Sequence, residues 1–250
     1  MELRATFGNV YRKEKRCSVR PCMPRRMLVA MQMEEFMTRR YELRFNRMKG
    51  CKEYRERHSL FTDYRPVTAE TVKSICFEAQ LEGVSAIEYD VQRYVDSRRV
   101  SHYWPVEEFL FDLPHWDGQD RIRTLADCVP CENEEWRNFF YIWFLSMVAH
   151  WLQMDREHAN STSPLLVGPQ GCRKSTFCQG LLPPELRPYF VDGIDLGSRK
   201  DAEMALSRFA LINLDEFDSI PASRQPYLKN LLQKAKVTLR KPYGESIEEM

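Results

Sequence analysis

The stretch that most constrains this chain runs from Ser163 to Leu182 and reads SPLLVGPQGCRKSTFCQGLL. The apolar run at 165–167 is typical of a buried strand, the glycines after it favour a loop, and the residues from Lys174 onward can continue as a helix. Gly168, Lys174 and Ser175 occupy the places that the phosphate-binding pattern G-x-x-x-x-G-K-[ST] requires. The sequence therefore predicts a strand, a phosphate-binding loop and a helix in succession.

The predicted loop has the groups that phosphate binding needs. Its backbone N–H groups can cradle phosphates, the Lys174 ammonium can reach the β and γ oxygens, and the Ser175 hydroxyl can ligate Mg²⁺. Arg173 departs from the pattern because it stands where the motif has its second glycine. Gly171 offers a further position at which the backbone can approach a phosphate without an intervening side chain. The predicted nucleotide-binding residues are Gly168, Pro169, Gln170, Gly171, Cys172, Arg173, Lys174, Ser175 and Thr176.

A second apolar run, FALINLDEFD at 209–218, ends in acidic residues. It predicts a buried parallel strand that delivers carboxylates to the same Mg²⁺. Asp215, which follows Lys174 by 41 positions, is expected to hold the metal together with Ser175, and Glu216 is expected to orient the attacking water as the catalytic residue. The alternative is a glycine-bearing turn followed by an unrelated strand that ends in an acidic loop.

Length and composition favour a folded chain of one or two domains. Its 250 residues include 43% hydrophobic and 12% aromatic residues, which is ample for packed cores. The net charge of +1 gives no overall attraction to nucleic acid, so such binding requires local basic patches. Residues 1–26, with eight Arg and Lys against two Glu, indicate either a basic flexible arm that contacts nucleic acid or a solvated tail.

Apolar runs and cysteines argue against a membrane span and against a zinc site. The longest apolar run, at 139–152, covers 14 residues, which is too short to cross a bilayer and typical of a buried helix. No secretory signal is recognisable, so we expect a cytoplasmic protein. Cys128 and Cys131 lack a second pair at zinc-binding spacing, which favours free thiols. Cys172 is expected to be sensitive to oxidation, because a helix N-terminus lowers the pKa of a thiol.

Residues 27–154 are predicted to form a mainly α-helical region with one β-hairpin. The predicted elements are a helix over 31–40, paired strands over 41–45 and 51–57, a helix from after Thr68 to about 82, helices over 85–96 and 105–113, a helix that begins near Gln119, and a long helix over 133–153. Ser85 and Asp117 are predicted to cap the helices that follow them. The two helices within 68–96 are interpreted as an ordinary helical hairpin, with a DNA-binding helix-turn-helix as the less favoured alternative. The aromatic residues of the last helix are interpreted as part of a hydrophobic core, with a surface that stacks on nucleotide bases as the less favoured alternative.

Residues 155–250 begin with a polar linker and are expected to form the first half of a nucleotide-binding domain. The predicted elements after the phosphate loop are a strand over 189–191, a helix over 201–206, the acidic strand, a helix over 225–235 and a strand over 237–243. Arg240 and Lys241 lie at the end of this last strand. They are candidate DNA contacts, and a solvated surface hairpin is the alternative.

The segments LPHWDGQDRI, GPQGCRKSTF, INLDEFD and LKNLLQKAKVTLRKPYG occur in this order, with the aromatic helix between the first two. Over about residues 30–250 the chain thereby resembles the virulence-associated E (VirE) family of primase-associated ATPases from plasmids and phages. The resemblance implies an α/β fold in which the helical N-terminal region precedes a P-loop NTPase domain with a parallel sheet, of the AAA+ or superfamily 3 helicase type. It also implies that the loop and the acidic strand are Walker A and Walker B motifs that bind ATP and Mg²⁺.

The resemblance further implies DNA, in single-stranded form, as a ligand, a primase or another replication protein as a partner, and homo-oligomers in full-length members. About 90 residues follow the linker, roughly half of such a domain, so we expect a C-terminally truncated member with an incomplete sheet. The expected function is that of an ATP-binding, helicase-like ATPase in the DNA replication of a mobile element, with weak hydrolysis in this form. The alternatives are a non-catalytic DNA-binding or adaptor fragment with a vestigial phosphate loop and, with less support, a nucleotide-dependent kinase.

Overall fold

The computed structural model describes residues 23–154, 162–215, 217–233, 238–240 and 247–249. Its helices are α1 (Arg25–Arg40), α2 (Ala69–Leu81), α3 (Glu88–Val95), α4 (Pro105–Phe111), α5 (Arg121–Ala126), α6 (Trp136–Trp151), α7 (Lys174–Gly180), α8 (Arg199–Arg208) and α9 (Gln225–Gln233). Its strands are β1 (Tyr41–Asn46), β2 (Cys51–Glu56), β3 (Arg65–Pro66), β4 (Ser101–Tyr103), β5 (Phe190–Asp192), β6 (Leu211–Asn213), β7 (Thr238–Arg240) and β8 (Ile247–Glu249). The fold is therefore mixed α/β, as predicted, while most of the basic segment 1–26 lies outside the described residues.

The N-terminal half is built on a four-stranded sheet of order β3-β2-β1-β4. β1 and β2 form an antiparallel hairpin in which Tyr41 faces Glu56 and Asn46 faces Cys51, which confirms the predicted hairpin. β3 pairs with β2, and β4 runs parallel to β1. These two outer strands were not predicted because two or three residues are too few to show an alternating pattern.

One face of this sheet is covered by α1, α2 and α3. The core residues that they share with the sheet include Phe36, Met37, Ile75, Ala79 and Val91. The Thr68 hydroxyl caps α2 by accepting a hydrogen bond from the N–H of Thr71. The helix ends before Gly83, whose φ of +85° suits glycine.

Two predicted helix caps are wrong. α3 begins at Glu88, and the carboxylate of Asp90 accepts from the N–H of Ile87, so Ser85 does not start the helix. α5 begins at Arg121 and is capped by Asp120, which accepts from the N–H of Arg123. At α5 the reason is geometric, since a cap must reach an N–H of the first helical turn and Asp120 is nearer to it than Asp117. At α3 no side chain of the described residues caps the first turn, and the Asp90 carboxylate instead holds the N–H of the residue before the helix.

The other face of the sheet carries a buried polar cluster. Asn46 and Glu53 are 0% and 1% exposed. The Glu53 carboxylate accepts hydrogen bonds from Arg44, Asn46 and Lys49. Burial by itself raises the pKa of Glu53, but these three donors outweigh it and the pKa lies below its usual value.

In the C-terminal half, β5 and β6 form a parallel pair in which Phe190 faces Leu211 and Asp192 faces Asn213. The acidic strand that the sequence predicted is thus present, although it covers 211–213 and not the whole of 209–218. The predicted strand at 165–167 is wrong. This segment joins no sheet in the described part of the chain, and Leu165 and Val167 are 65% and 88% exposed. A parallel strand needs a neighbour for its backbone hydrogen bonds, and none of the described residues provides one.

The aromatic helix α6 connects the two halves. Phe140, 1% exposed, packs against aromatic rings on both sides, and its ring centroid lies 6.1 Å from that of Phe177 in α7. At the other end of α6, the indole N–H of Trp151 donates to the carbonyl of Ala210, just before β6, at 2.8 Å. The predicted core seam is confirmed on this side of the helix. Phe139, however, faces outward and is 62% exposed.

Across the described ranges, no helix has both the length and the apolar character that a membrane span requires. The described cysteines, which include Cys128 and Cys131, are free thiols.

Candidate nucleotide-binding site

The loop that precedes α7 has two residues in the left-handed region of backbone conformation. Gly171 has a φ of +80°, and Arg173 has a φ of +65° and a ψ of +30°. Glycine adopts this conformation freely, whereas a residue with a Cβ incurs a steric cost of about 1–2 kcal/mol. Arg173, which is exposed, therefore has a backbone conformation that a glycine at this position would adopt at lower cost.

The Lys174 ammonium folds back over this loop. Its Nζ donates to the carbonyl oxygens of Gly168 and Pro169 at 2.8 and 3.0 Å, and it lies 3.7 Å from the Sγ of Cys172. A Cβ placed on Gly168 would lie 3.2 Å from the same sulfur, so the loop is tightly closed at this point. The ammonium thus closes the loop, and a phosphate that bound it would replace these carbonyl contacts.

Ser175 and Asp215, the two predicted metal ligands, lie next to each other. The Ser175 Oγ donates to the Asp215 Oδ2 at 3.2 Å, although the two residues are 40 positions apart in the chain. Ser175 is in the first turn of α7, which Phe177 anchors against α6, and Asp215 is in the turn after β6. The packing of α6 against both elements therefore brings the hydroxyl and the carboxylate together.

These two oxygen atoms suit Mg²⁺. It is a hard cation that prefers oxygen ligands and is usually bound through one or two protein groups, with waters and substrate phosphates completing its shell. The described residues contain no group of three or more His, Cys, Asp and Glu side chains that could hold a metal. The hydroxyl and the carboxylate are thus chemically suited to a magnesium ion that takes its remaining ligands from phosphate and water.

Asp192 and Asn213 belong to the same edge and were missed in the sequence. They end β5 and β6, and the Nδ2 of Asn213 donates to the Oδ1 of Asp192 at 2.6 Å. A signal was present, because the segment YFVD at 189–192 is also an apolar run that ends in an acid. The predicted strand stopped one residue too early, at Val191.

The half-buried thiol of Cys178 lies near the carboxylates of Asp192 and Asp215. Burial raises its pKa most, and the negative charges of Asp192 and Asp215 raise it further. A thiol with a raised pKa stays protonated and is a poor nucleophile. Cys178 is therefore a poor candidate for a reactive residue, whereas the sensitivity of the exposed Cys172 to oxidation stays a prediction.

A comparison with known protein families covers the part of the chain that contains this site. A sequence model of the virulence-associated protein E-like domain matches residues 110–250. The chain belongs to the virulence-associated protein E-like family. This membership supports the resemblance noted in the sequence and associates the chain with virulence-associated proteins of mobile elements. A search of curated proteins finds no match to the chain.

Within the virulence-associated protein E-like domain, the segment HWDGQDRI has a supporting role. The indole N–H of Trp116 donates to the carbonyl of Gln119 at 3.1 Å, and Asp117 forms an ion pair with Arg121. This turn leads into α5, whose apolar residues, Ile122 among them, pack around Phe140. The segment thus supports α6, and α6 supports α7 and the loop that precedes it.

Several predicted site residues of the virulence-associated protein E-like domain are not seen beside Lys174, Ser175 and Asp215 in the described part of the chain. Glu216 and Lys241 lie outside the described residues, and Arg240 belongs to the short hairpin of β7 and β8. The remaining loop residues, Pro169, Gln170 and Thr176, are exposed around the loop. The roles of Glu216, Arg240 and Lys241 stay predictions.

Proposed function

We propose that this domain binds ATP with Mg²⁺ through the loop at 168–176 and serves as a nucleotide-dependent protein in the DNA replication of a mobile element. The observation that carries the proposal is the contact between the Ser175 hydroxyl and the Asp215 carboxylate. One candidate metal ligand, at the start of the helix after the glycine-containing loop, lies beside another in the turn after the acidic strand. Binding of a Mg²⁺-nucleotide complex requires such a pair of groups.

The proposed roles follow from the positions of these groups. Loop N–H groups and the Lys174 ammonium would hold the phosphates, and Ser175 and Asp215 would hold Mg²⁺. When bound, Mg²⁺ supplies positive charge that neutralises the phosphate oxygens. Glu216, the residue after Asp215, would orient the attacking water.

The parallel pairing of β5 and β6 supports this placement. Ligands of open parallel sheets bind outside the carboxyl ends of the strands, and Asp192, Asn213 and Asp215 lie at that end. We take the two strands to be part of a P-loop type of sheet. The DNA and primase partners of the proposal derive from the family resemblance, and single-stranded DNA is the form to test first.

A second candidate function is that of a DNA-binding adaptor whose loop no longer binds nucleotide. Arg173 favours it, because an arginine in the left-handed conformation makes the loop more costly to form than a glycine would. The contacts of Lys174 with the loop carbonyls point the same way, since a phosphate must displace them. Nucleotide titration distinguishes the two candidates.

Isothermal titration of ATP in the presence of Mg²⁺ tests the proposal. We expect Lys174→Ala to weaken binding at least tenfold, or about 1.4 kcal/mol, because it removes the charge that faces the phosphates. Lys73→Ala, which removes an exposed lysine of α2, is the matched control and should bind as the wild type does. Wild-type protein that binds no nucleotide, or binds it equally well after Lys174→Ala, would favour the adaptor.

A further inference from the structure

Asp192 and Asn213 have no role in the proposed function so far. They are paired residues in the parallel ladder of β5 and β6, and their side chains are joined by the hydrogen bond of 2.6 Å. Side chains of residues that face each other in adjacent strands lie on the same face of the sheet. The contact is therefore built into the register of the two strands.

The hydrogen bond acts at the point where the chain leaves the sheet toward Asp215. Asn213 is the last residue of β6, and Asp215 follows two residues later in a turn. A side chain that is held at Asn213 restricts the start of this turn. The contact therefore holds the residue from which the turn to Asp215 begins.

Asp192 also contributes negative charge. Asp215 supplies a second carboxylate beyond the same ends of the two strands, and both carboxylates lie close enough to the Cys178 thiol to act on it. Two negative charges in the same region attract a cation that lies close to both. A divalent cation held at Ser175 and Asp215 would therefore also be attracted by the charge of Asp192.

We propose that Asp192 is a positioning residue for the magnesium ion: it holds Asn213, and with it the turn that carries Asp215, and its charge strengthens binding of the metal. The inference rests on the proposed function, because it presumes a Mg²⁺-nucleotide complex at this edge. It adds a residue that no motif of the sequence contains.

The test is the dependence of nucleotide affinity on Mg²⁺. Isothermal titration with the non-hydrolysable analogue AMP-PNP, once with Mg²⁺ and once with EDTA, yields the factor by which the metal improves binding. Asp192→Asn removes the charge but keeps an oxygen that can accept from Asn213. We expect this factor to fall at least fivefold in Asp192→Asn, while the affinity in EDTA stays within twofold of the wild type.

Asn213→Ala is the second variant, since it removes the hydrogen bond and keeps the charge of Asp192. We expect it to lower the same factor. Asp63→Asn is the matched control, because it removes an exposed carboxylate in the loop between β2 and β3 and should leave the factor unchanged.

Equal losses of affinity in Mg²⁺ and in EDTA would indicate a purely structural role for Asp192 and would overturn the inference. An unchanged factor in both variants would overturn it too, even where Lys174→Ala weakens binding and the proposed function stands. Wild-type protein that binds no AMP-PNP would remove the proposed function and this inference together.

Discussion

The Nδ2 of Asn46 donates a hydrogen bond of 2.7 Å to the hydroxyl of Tyr189, across 143 positions of the chain. Asn46 ends β1 in the N-terminal sheet, and Tyr189 immediately precedes β5. Both residues are buried, and Asn46 also donates to the carboxylate of Glu53. The polar cluster of the N-terminal sheet is therefore joined directly to the strand that carries Asp192.

Tyr189→Phe should destabilise the protein, because it removes the hydroxyl and leaves the buried amide of Asn46 with one acceptor fewer. We expect a loss of about 1 kcal/mol in the free energy of unfolding, measured by urea denaturation. Tyr89→Phe removes a hydroxyl from a residue that is 66% exposed and should have no measurable effect. Equal stability of the two variants would mean that the contact contributes nothing net.

Arg173→Gly should stabilise the folded chain relative to Arg173→Ala, because alanine keeps the Cβ that disfavours a φ of +65°. The expected difference between the two variants is about 1 kcal/mol in urea denaturation. Titration of ATP separates strain from charge. If the guanidinium contacts phosphate, both variants should bind more weakly than the wild type, whereas relief of strain alone should favour the glycine variant.

Phe140→Ala should lower the free energy of unfolding by about 3–5 kcal/mol, because the ring is buried among neighbouring side chains of α6, the apolar residues of α5 and Phe177 of α7. We expect nucleotide binding to weaken in the protein that remains folded, since α7 carries Lys174 and Ser175. Phe139→Ala is the control on the same helix and should change stability by less than about 0.5 kcal/mol. A comparable loss in both variants would contradict the packing described for α6.

Glu53→Gln should reduce stability at neutral pH by about 2 kcal/mol, because it removes the buried charge that accepts hydrogen bonds from the half-buried Arg44 and the exposed Lys49. The pKa of Glu53 is lowered in the folded state, so its contribution is present above the unfolded pKa of about 4.3 and is lost as the pH falls through the folded value. Wild type and variant should therefore approach each other in stability below about pH 4.

Urea denaturation from pH 3 to pH 7 measures this convergence. Glu107→Gln, which changes an exposed carboxylate of α4, is the control and should follow the wild type throughout. A gap between wild type and Glu53→Gln that stays constant over this range would show that the charge of Glu53 is not responsible for it.

The parts of the fold that were predictable depend on residues close together in the chain. The β1–β2 hairpin, the buried side of α6 and the loop before Lys174 each follow from patterns of a few to about twenty residues. Helical and strand periodicity and the spacing of glycines before a lysine are local properties, so the sequence displays them directly.

The tertiary structure decided which of these elements meet. The sequence alone determined that two side chains with oxygen atoms, Ser175 and Asp215, lie near the ends of two elements, but the packing of α6 against α7 and β6 brings them within 3.2 Å. The Asp192–Asn213 and Asn46–Tyr189 contacts are equally products of long-range packing. Pairings between residues 21 to 143 positions apart depend on the combined burial of many side chains, which no local pattern encodes.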